Sequence, residues 1–356
     1  MAPVDSISSV RVKVGSFKVV EGSSTSWLAF AQSQPEATLF HHPAWLSLLS
    51  TTYHYRPLVL TQTDQAGHIV AGLPMLEVRS WLTGHRFIAL PFTDYCPPLG
   101  LDSERLEQFG IGLRQWWESM GQPNVEVRSP LPSLPQIRRI SEGVRHILPL
   151  GPDLSRLERG LTSSWARAIR KSRHAGVEVV LTRSTAALPA FYRLHRLTRR
   201  RQGVPVQPKR YFEQLWKMII EPGLGFVVLA CKSGRPIAAA VFLSWNGNLI
   251  YKYGASDPAY LEHRPNNLAI WAGIEWGSQN GCRLLDFGRT WLDNPGLRKF
   301  KSGAGSTEVP LEYSFIGNGP QRATRGTAMR AVSRVIRSSP PVVGRAIGEL
   351  LYRHFP

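Results

Sequence analysis

One order of elements occurs twice in this chain, and that repetition constrains the fold more than any other feature. In the first half, Pro57–Leu60 and Ile69–Leu76 are apolar runs separated by a short polar turn. In the second half, Phe226–Ala230 and Ile237–Leu243 have the same arrangement. Apolar, β-branched runs that flank small turn residues predict β-hairpins. We interpret the repetition as a duplication, so the chain should contain two structurally similar halves.

The elements around each hairpin follow the same order. A Trp-bearing helix precedes the hairpin, and a strand, a helix and another strand follow it. The predicted helices and final strands are Ala44–Thr52, Ser103–Met120 and Asn124–Arg128 in the first half, and Arg210–Ile220, Asn266–Gln279 and Arg283–Phe287 in the second. Ser103 and Asn266 are the expected N-terminal capping residues, and Gly281 should end the last helix. The class predicted is α/β, with a mostly antiparallel sheet flanked by helices in each half.

A proline-rich segment, Ser129–Pro152, marks the expected boundary between the halves. The domain limits that follow are 1–150, 151–317 and a basic tail at 318–356. In this tail, arginines alternate with apolar residues at helical spacing, which favours basic amphipathic helices. Such helices suit either an anionic membrane surface or docking on the protein itself.

The net charge of +18 is concentrated in two segments. Residues 165–210 carry twelve Lys and Arg against one acid, and residues 318–356 carry seven Arg against one acid. Charge of one sign in restricted segments predicts an anionic partner, such as a phosphate-bearing donor, a nucleic acid or lipid headgroups. The three cysteines are far apart and the N-terminus shows no signal-peptide pattern, so we expect a cytoplasmic protein, with attachment to the inner face of the membrane as an alternative.

The strongest chemical signal is Leu284–Thr290 followed by Asn294–Lys301. A short apolar strand ends in Asp286, a turn exposes Arg289, and an aromatic–lysine pair ends in Lys301. An acid, a guanidinium and an ammonium within sixteen residues suit a site that holds a charged donor beside a nucleophile. A strand followed by a turn and a solvated basic loop is the structural alternative.

These motifs resemble those of FemAB-type acyl and aminoacyl transferases, which have a tandem GNAT-like architecture. The resemblance covers about residues 25–316. The motifs that carry it are Phe40–Trp45 (FHHPAW), Leu90–Leu99 (LPFTDYCPPL), Trp165–Arg173 (WARAIRKSR) running into Ala175–Val179, and the DFGRT and GLRKFKSGAG sequences that end at Gly305. It implies an N-acyltransferase that uses an acyl-CoA and acts on an amino group of a sugar or a cell-envelope or exopolysaccharide precursor. An aminoacyl-tRNA is the alternative donor, and the absence of a sustained heptad run favours the thioester.

Roles for residues of the second half follow partly from the resemblance, for Lys301 and Tyr253, and partly from position in the sequence, for Asp286 and His263. Lys301 is the expected charged stabiliser of the transfer step, next to Phe300. Asp286 would either accept the acceptor's proton or form a structural pair with Arg289. Tyr253, which should end a strand, would donate a proton to the departing group, and His263 is a weaker alternative base.

Basic residues of the second half should bind a pyrophosphate, a nucleotide-linked sugar or a tRNA backbone. The expected substrate-binding residues are Arg289, Phe300, Arg167, Arg170, Lys171 and Arg196. No metal-ligand spacing, phosphate-binding loop or nucleophile elbow is found, so we expect no metal. The competing classes are a non-catalytic nucleic-acid-binding protein, which the charge would suit, and a catalytically inactive envelope-assembly subunit.

Overall fold

The computed structural model of the protein describes residues 17–81 and 84–317, and residues 336, 348, 349 and 352 near the C-terminus. Within these ranges the strands are β1 (Lys18–Val20), β2 (Arg56–Thr63), β3 (Ile69–Ser80), β4 (Gly84–Ile88), β5 (Asn124–Val127), β6 (Ile137–Pro149), β7 (Val177–Thr182), β8 (Gly225–Lys232), β9 (Arg235–Trp245), β10 (Asn248–Ser256), β11 (Leu284–Thr290) and β12 (Thr307–Ile316). The α-helices are α1 (Thr25–Ser33), α2 (Pro43–Tyr53), α3 (Ser103–Ser119), α4 (Leu154–Gly160), α5 (Ser163–His174), α6 (Leu188–Gln202), α7 (Lys209–Leu215), α8 (Pro265–Gln279) and α9 (Pro295–Ser302).

All of these strands belong to one sheet, in the order β1-β2-β3-β4-β5-β12-β6-β11-β10-β9-β8-β7. Neighbouring strands are antiparallel except β4 with β5 and β10 with β11, which are parallel. Each half therefore repeats a hairpin, a third strand, a helix and a parallel strand, as β2-β3-β4-α3-β5 and β8-β9-β10-α8-β11. The predicted α/β class, the mostly antiparallel sheet and the repeated order of elements are confirmed.

The two halves exchange strands at the middle of the sheet. The proline-rich segment, Ser129–Pro152, contains the 13-residue strand β6, which lies between β12 and β11. In turn, β12 comes from the end of the second half and pairs with β5 of the first. Limits at residues 150 and 317 remain a prediction about the sequence repeat, because the sheet itself is continuous across them.

The hydrophobic core is shared by both halves on one face of the sheet. Helices α1 and α2 pack there beside α6 and α7, around buried side chains such as Trp45 and Trp216. Because side chains alternate along each strand, every second strand residue points to the opposite face of the sheet. On that face, α3 covers the first half, and α5 and α8 cover the second. This common core fixes the two halves against each other and so fixes any site between them.

Three local predictions are corrected. The N-cap of α3 is Asp102 and not Ser103, because the Asp102 carboxylate accepts a hydrogen bond of 2.8 Å from the third amide of the helix. Asn266 does not cap α8; its amide donates to the Ser256 hydroxyl at 3.3 Å. Strand β10 does not end at Tyr253 but continues to Ser256.

The predicted amphipathic tail, 318–356, lies outside the described residues except at four positions. One of these, Tyr352, contacts the body of the protein. Its backbone carbonyl accepts from the Tyr55 hydroxyl at 3.3 Å, and its hydroxyl accepts from Arg199 at 3.1 Å. Its ring lies 5.7 Å from that of Phe92. At this position the chain docks on itself, which is one of the two expected alternatives.

Candidate active site

The candidate site lies where β10 and β11 separate. Their pairing ends at Ile250 and Asp286, although β10 continues to Ser256 and β11 to Thr290. A bulge in β10 at residues 251–253 follows directly. Because the two strands diverge, the next residues of β10 line a cavity of about 450 Å³ instead of a neighbouring strand.

The loop between β4 and α3 closes one side of this cavity. Leu90 and Phe92 adopt left-handed backbone conformations, with φ of 62° and 59°, which side-chain-bearing residues adopt only in a well-supported turn. Hydrogen bonds to two backbone carbonyls hold this loop. The Tyr313 hydroxyl donates to the backbone carbonyl of Asp94 at 2.8 Å, and the Lys252 ammonium donates to the backbone carbonyl of Phe92. The first half thereby places the Asp94 side chain in the wall of the cavity.

The Asp94 carboxylate faces cations from both halves. They are Lys252, Arg289, Lys301 and Arg128. Burial alone would raise the pKa of Asp94, but these four charges outweigh it and lower the pKa below its usual value. The carboxylate is therefore ionised at neutral pH, and it is the negative centre of a largely cationic site.

The glycine of the DFGRT motif allows this approach. Gly288 has a φ of 69°, and a Cβ atom at this position would lie 2.5 Å from Asp94 Oδ2. A side chain here would be strained by the backbone conformation and would also displace the carboxylate. Glycine is therefore required at position 288 because Asp94, on the loop between β4 and α3 of the first half, lies so close to it.

Lys301 lies in the last turn of α9, and only 4% of it is exposed. Its Nζ donates to the carbonyls of Gly288 and Arg289 at 2.9 and 3.0 Å. Burial lowers the pKa of Lys301 to about 8, with Asp94 and Asp286 opposing the shift. An ammonium has three N–H donors, so one is left for a ligand, and the group is mainly protonated at pH 7.

The structure corrects the expected partner of Asp286. Its Oδ2 accepts from Arg145 of β6 at 2.8 Å, and its Oδ1 accepts from the Gly288 amide at 2.7 Å. Arg289 instead points to Glu142, at 3.4 Å, and stacks on Trp291. Asp286 is not among the residues that line the cavity, so the geometry favours a structural role in holding the strand bulge.

Tyr253, Arg289 and Phe300 all line the cavity. The Tyr253 hydroxyl donates to that of Tyr211 at 2.9 Å and accepts from Gln207 at 3.1 Å. Burial and the neighbouring Tyr211 raise the pKa of Tyr253 well above its usual value. It stays a neutral phenol, which can donate a proton but is already part of a hydrogen-bond network.

A larger cavity of about 840 Å³ adjoins the first, and Asn266 and Phe300 belong to the walls of both. Three predicted phosphate-binding residues, Arg167, Arg170 and Lys171, line it from α5. Further cations come from Arg264, at the start of α8, and Lys299, on α9. Arg196, the remaining predicted binding residue, lies on α6 and lines neither cavity.

Sequence reasoning missed Asp94 and Lys252 in the smaller cavity, and Arg264 and Lys299 in the larger one. Asp94 lies within the motif Leu90–Leu99, but nothing in the sequence shows that this loop reaches the other half. Lys252 lies between Tyr251 and Tyr253 in a strand, and nothing in this sequence marks it as a site residue. The expected histidine is also corrected, because His195 of α6 lines the cavity whereas the His263 imidazole lies 3.2 Å from the Lys232 ammonium, outside it.

A buried thiol and imidazole elsewhere in the first half do not form a nucleophilic pair. The Cys96 sulfur lies 3.6 Å from His41 Nε2. Burial raises the pKa of the Cys96 thiol and lowers the pKa of His41 to about 4. Both groups are therefore neutral at pH 7, whereas a reactive cysteine needs a thiolate.

Residues 162–302 match the family model described as an acetyltransferase (GNAT) domain. The match lies in the second half, and the first half repeats the same order of elements, so the protein is an acyltransferase with a tandem GNAT-like fold. The predicted resemblance to FemAB-like transferases is confirmed at that level.

Solved structures with a similar fold extend over nearly the whole chain. FemX is 14% identical, covers 85% of this chain and 98% of its own, and has a TM-score of 0.68. L-PGS from Bacillus licheniformis is 13% identical, with coverages of 90% and 99% and a TM-score of 0.53. A tandem GNAT protein from the clavulanic acid biosynthesis pathway is 14% identical, with coverages of 86% and 99% and a TM-score of 0.52. The search of curated proteins found no match.

Among residues 17–81 and 84–317 and the four described tail positions, no helix is long and apolar enough to cross a membrane. Within the same part of the chain, no group of three or more His, Cys, Asp or Glu side chains is arranged to hold a metal ion.

Proposed function

We propose that the protein is an N-acyltransferase that moves an acyl group from an acyl-CoA to an amino group of a sugar or another cell-envelope or exopolysaccharide precursor. The observation that carries the proposal is the position of Asp94 and Lys301 in one cavity at the separation of β10 and β11. An anionic carboxylate and a partly desolvated ammonium are the two charges that amide formation needs.

The larger cavity would hold the donor's phosphates. Its cationic side chains on α5, α8 and α9 suit a pyrophosphate, and guanidinium groups bind phosphate oxygens in pairs. From there the donor's extended arm would run along the unpaired edge of β10 towards Lys301, past Phe300, which lines both cavities.

The reaction then follows from the two charges. Asp94 attracts the acceptor's amino group and orients it; the ammonium loses its proton to solvent, and the free amine attacks the thioester carbonyl. The Lys301 ammonium donates to the oxyanion that develops there, an interaction that is strengthened by its burial. The carbon–sulfur bond breaks as the carbon–nitrogen bond is completed. The Tyr253 phenol, which lines the same cavity, would give its proton to the departing thiolate and take up the remaining surplus proton of the new amide nitrogen, so that it ends as a neutral phenol.

An aminoacyl-tRNA is the second candidate donor. The three α5 cations are exposed to solvent, so a larger polyanion could also reach them. The similarity in fold to FemX and L-PGS supports this candidate as well. The localisation proposed with either donor is cytoplasmic, with the tail 318–356 as a possible contact to the inner face of the membrane.

A thermal-shift titration with acetyl-CoA, longer acyl-CoAs and charged tRNA tests the donor. A ligand at a hundredfold excess over its Kd stabilises the folded state by about 2.7 kcal/mol. We expect a rise in the unfolding midpoint with an acyl-CoA, and a smaller rise at the same concentration in the variant Arg170→Ser/Lys171→Ser. A rise with charged tRNA alone would move the donor to the second candidate, and no rise with either would contradict the proposal.

A further inference from the structure

The segment that follows β11 and runs into the first turn of α9 exposes three large apolar side chains. Trp291, Leu292 and Leu297 are 49%, 54% and 37% exposed, and all lie within seven residues. Apolar side chains scattered over a surface are ordinary, but a contiguous group beside a site indicates an interaction surface. We call residues 291–297 the rim loop.

The rim loop lies between the two cavities. Leu297 lines the smaller cavity, and the preceding residue, Gly296, lines the larger cavity. The Arg289 guanidinium, which lines the smaller cavity, stacks over the Trp291 ring at 4.3 Å. The exposed apolar side chains thus lie beside the openings of both cavities. The cation–π contact between Arg289 and Trp291 holds one end of the group in place.

The charges around the rim loop are mostly positive. The adjoining wall of the larger cavity carries Arg167, Arg170, Lys171, Arg264 and Lys299. Within the rim loop itself the sequence has one acid, the exposed Asp293. Apolar side chains bordered by Lys and Arg match an anionic lipid surface, because the former enter the headgroup region while the latter bind lipid phosphates.

We propose that the rim loop is a docking surface for an anionic phospholipid bilayer. Trp291, Leu292 and Leu297 enter the interface, and the positive charge around them attracts the anionic headgroups. Docking in this orientation opens both cavities at the membrane surface. If the proposed acyl transfer is correct, and only then, the acceptor amine is presented by a molecule at that surface.

Vesicle co-sedimentation of the full-length protein tests the docking surface without any acyl donor. Vesicles of phosphatidylcholine with phosphatidylglycerol are compared with vesicles of phosphatidylcholine alone. We expect binding to the anionic vesicles only, and a loss of about tenfold in affinity in Trp291→Ser/Leu292→Ser, because two apolar side chains no longer leave water. The matched control is Trp81→Ser, since Trp81 is 85% exposed but lies next to β3 in the first half.

A fluorescent label at position 292 shows whether the rim loop itself enters the lipid. The variant Leu292→Cys would carry the label in a chain whose native cysteines, Cys96, Cys231 and Cys282, are replaced by Ser. We expect a blue shift of the label with anionic vesicles, and a label at Trp81→Cys should not respond.

Three outcomes would overturn the proposal. Wild-type protein may fail to bind anionic vesicles, or the double variant may bind them as wild type does, which would leave any lipid binding to the tail. A concentration-dependent dimer that the double variant abolishes would show that the rim loop binds a second copy of the chain. None of these outcomes changes the donor titration, so failure of the docking surface and failure of the proposed acyl transfer can be distinguished.

Discussion

Replacing Asp286 by Asn separates a structural from a catalytic role for this carboxylate. In the structure its two oxygens accept from Arg145 at 2.8 Å and from the Gly288 amide at 2.7 Å. An asparagine has almost the same shape but only one oxygen, so it cannot accept both hydrogen bonds. It also removes the negative charge opposite a guanidinium whose side chain is only 15% exposed.

The expected cost follows from that burial. Removing one partner of a buried ion pair typically costs about 3–5 kcal/mol, because the other charge is left uncompensated. Arg145 keeps a cation–π contact with Tyr95 at 3.6 Å, so we expect the lower end, about 3 kcal/mol. In a chain of 356 residues, a loss of this size would lower the unfolding midpoint by about 4 °C.

Urea unfolding of wild type, Asp286→Asn, Arg145→Met and the double variant measures this cost. The double variant should lose less than the two single variants added together, because neither charge remains alone. Asp293→Asn, at an exposed position of the rim loop, should stay within about 0.5 kcal/mol of wild type. Acetyl-CoA binding by folded Asp286→Asn should be unchanged. If Asp286→Asn unfolds like wild type but has no transfer activity, the structural assignment is wrong and the carboxylate acts on substrate.

Three further predictions concern the ligand sites and the tail. Because the pKa of Lys301 is about 8, its protonated fraction falls as the pH rises through 8, so the transfer rate should decline there; Lys301→Met should lower the rate about 10²–10³-fold at pH 7. Arg170→Ser should weaken acyl-CoA binding about tenfold in calorimetry, since a charged hydrogen bond is lost, whereas Arg200→Ser, which is exposed outside both cavities, should not. Gly348→Val should release the tail, because a Cβ there would lie 1.8 Å from the Val206 carbonyl; hydrogen exchange at residues 203–207 would rise, and unchanged protection would contradict the contact.

The repeated fold could be predicted because its signals are local. The hairpin strands β2, β3, β8 and β9 are uninterrupted apolar runs with small turn residues between them, and each was located within a few residues of its true ends. The proline-rich Ser129–Pro152 misled the same reasoning. Its prolines lie mainly before β6 and at its end, so the 13 residues between them could still pair with β11 and β12.

The partners of the charged residues could not be predicted, because they depend on long-range pairing. Asp286 and Arg289 are close in sequence, which favoured a pair between them. A register shift in the pairing of β11 with β6 instead directs them to Arg145 and Glu142 of β6. Both partners lie more than 140 residues away in the sequence.

The position of Asp94 decides what the first half contributes. If the first half only stabilised the second, a shared hydrophobic core would be enough, and α1 and α2 already contribute to such a core. The loop after β4 does more, because it carries Asp94, a carboxylate that lines the cavity and faces Lys252, Arg289 and Lys301. Without this charge, burial would lower the pKa of both lysines further, since Asp94 opposes the shift in each. The first half therefore sets the protonation state of the site in the second, and neither half alone contains that site.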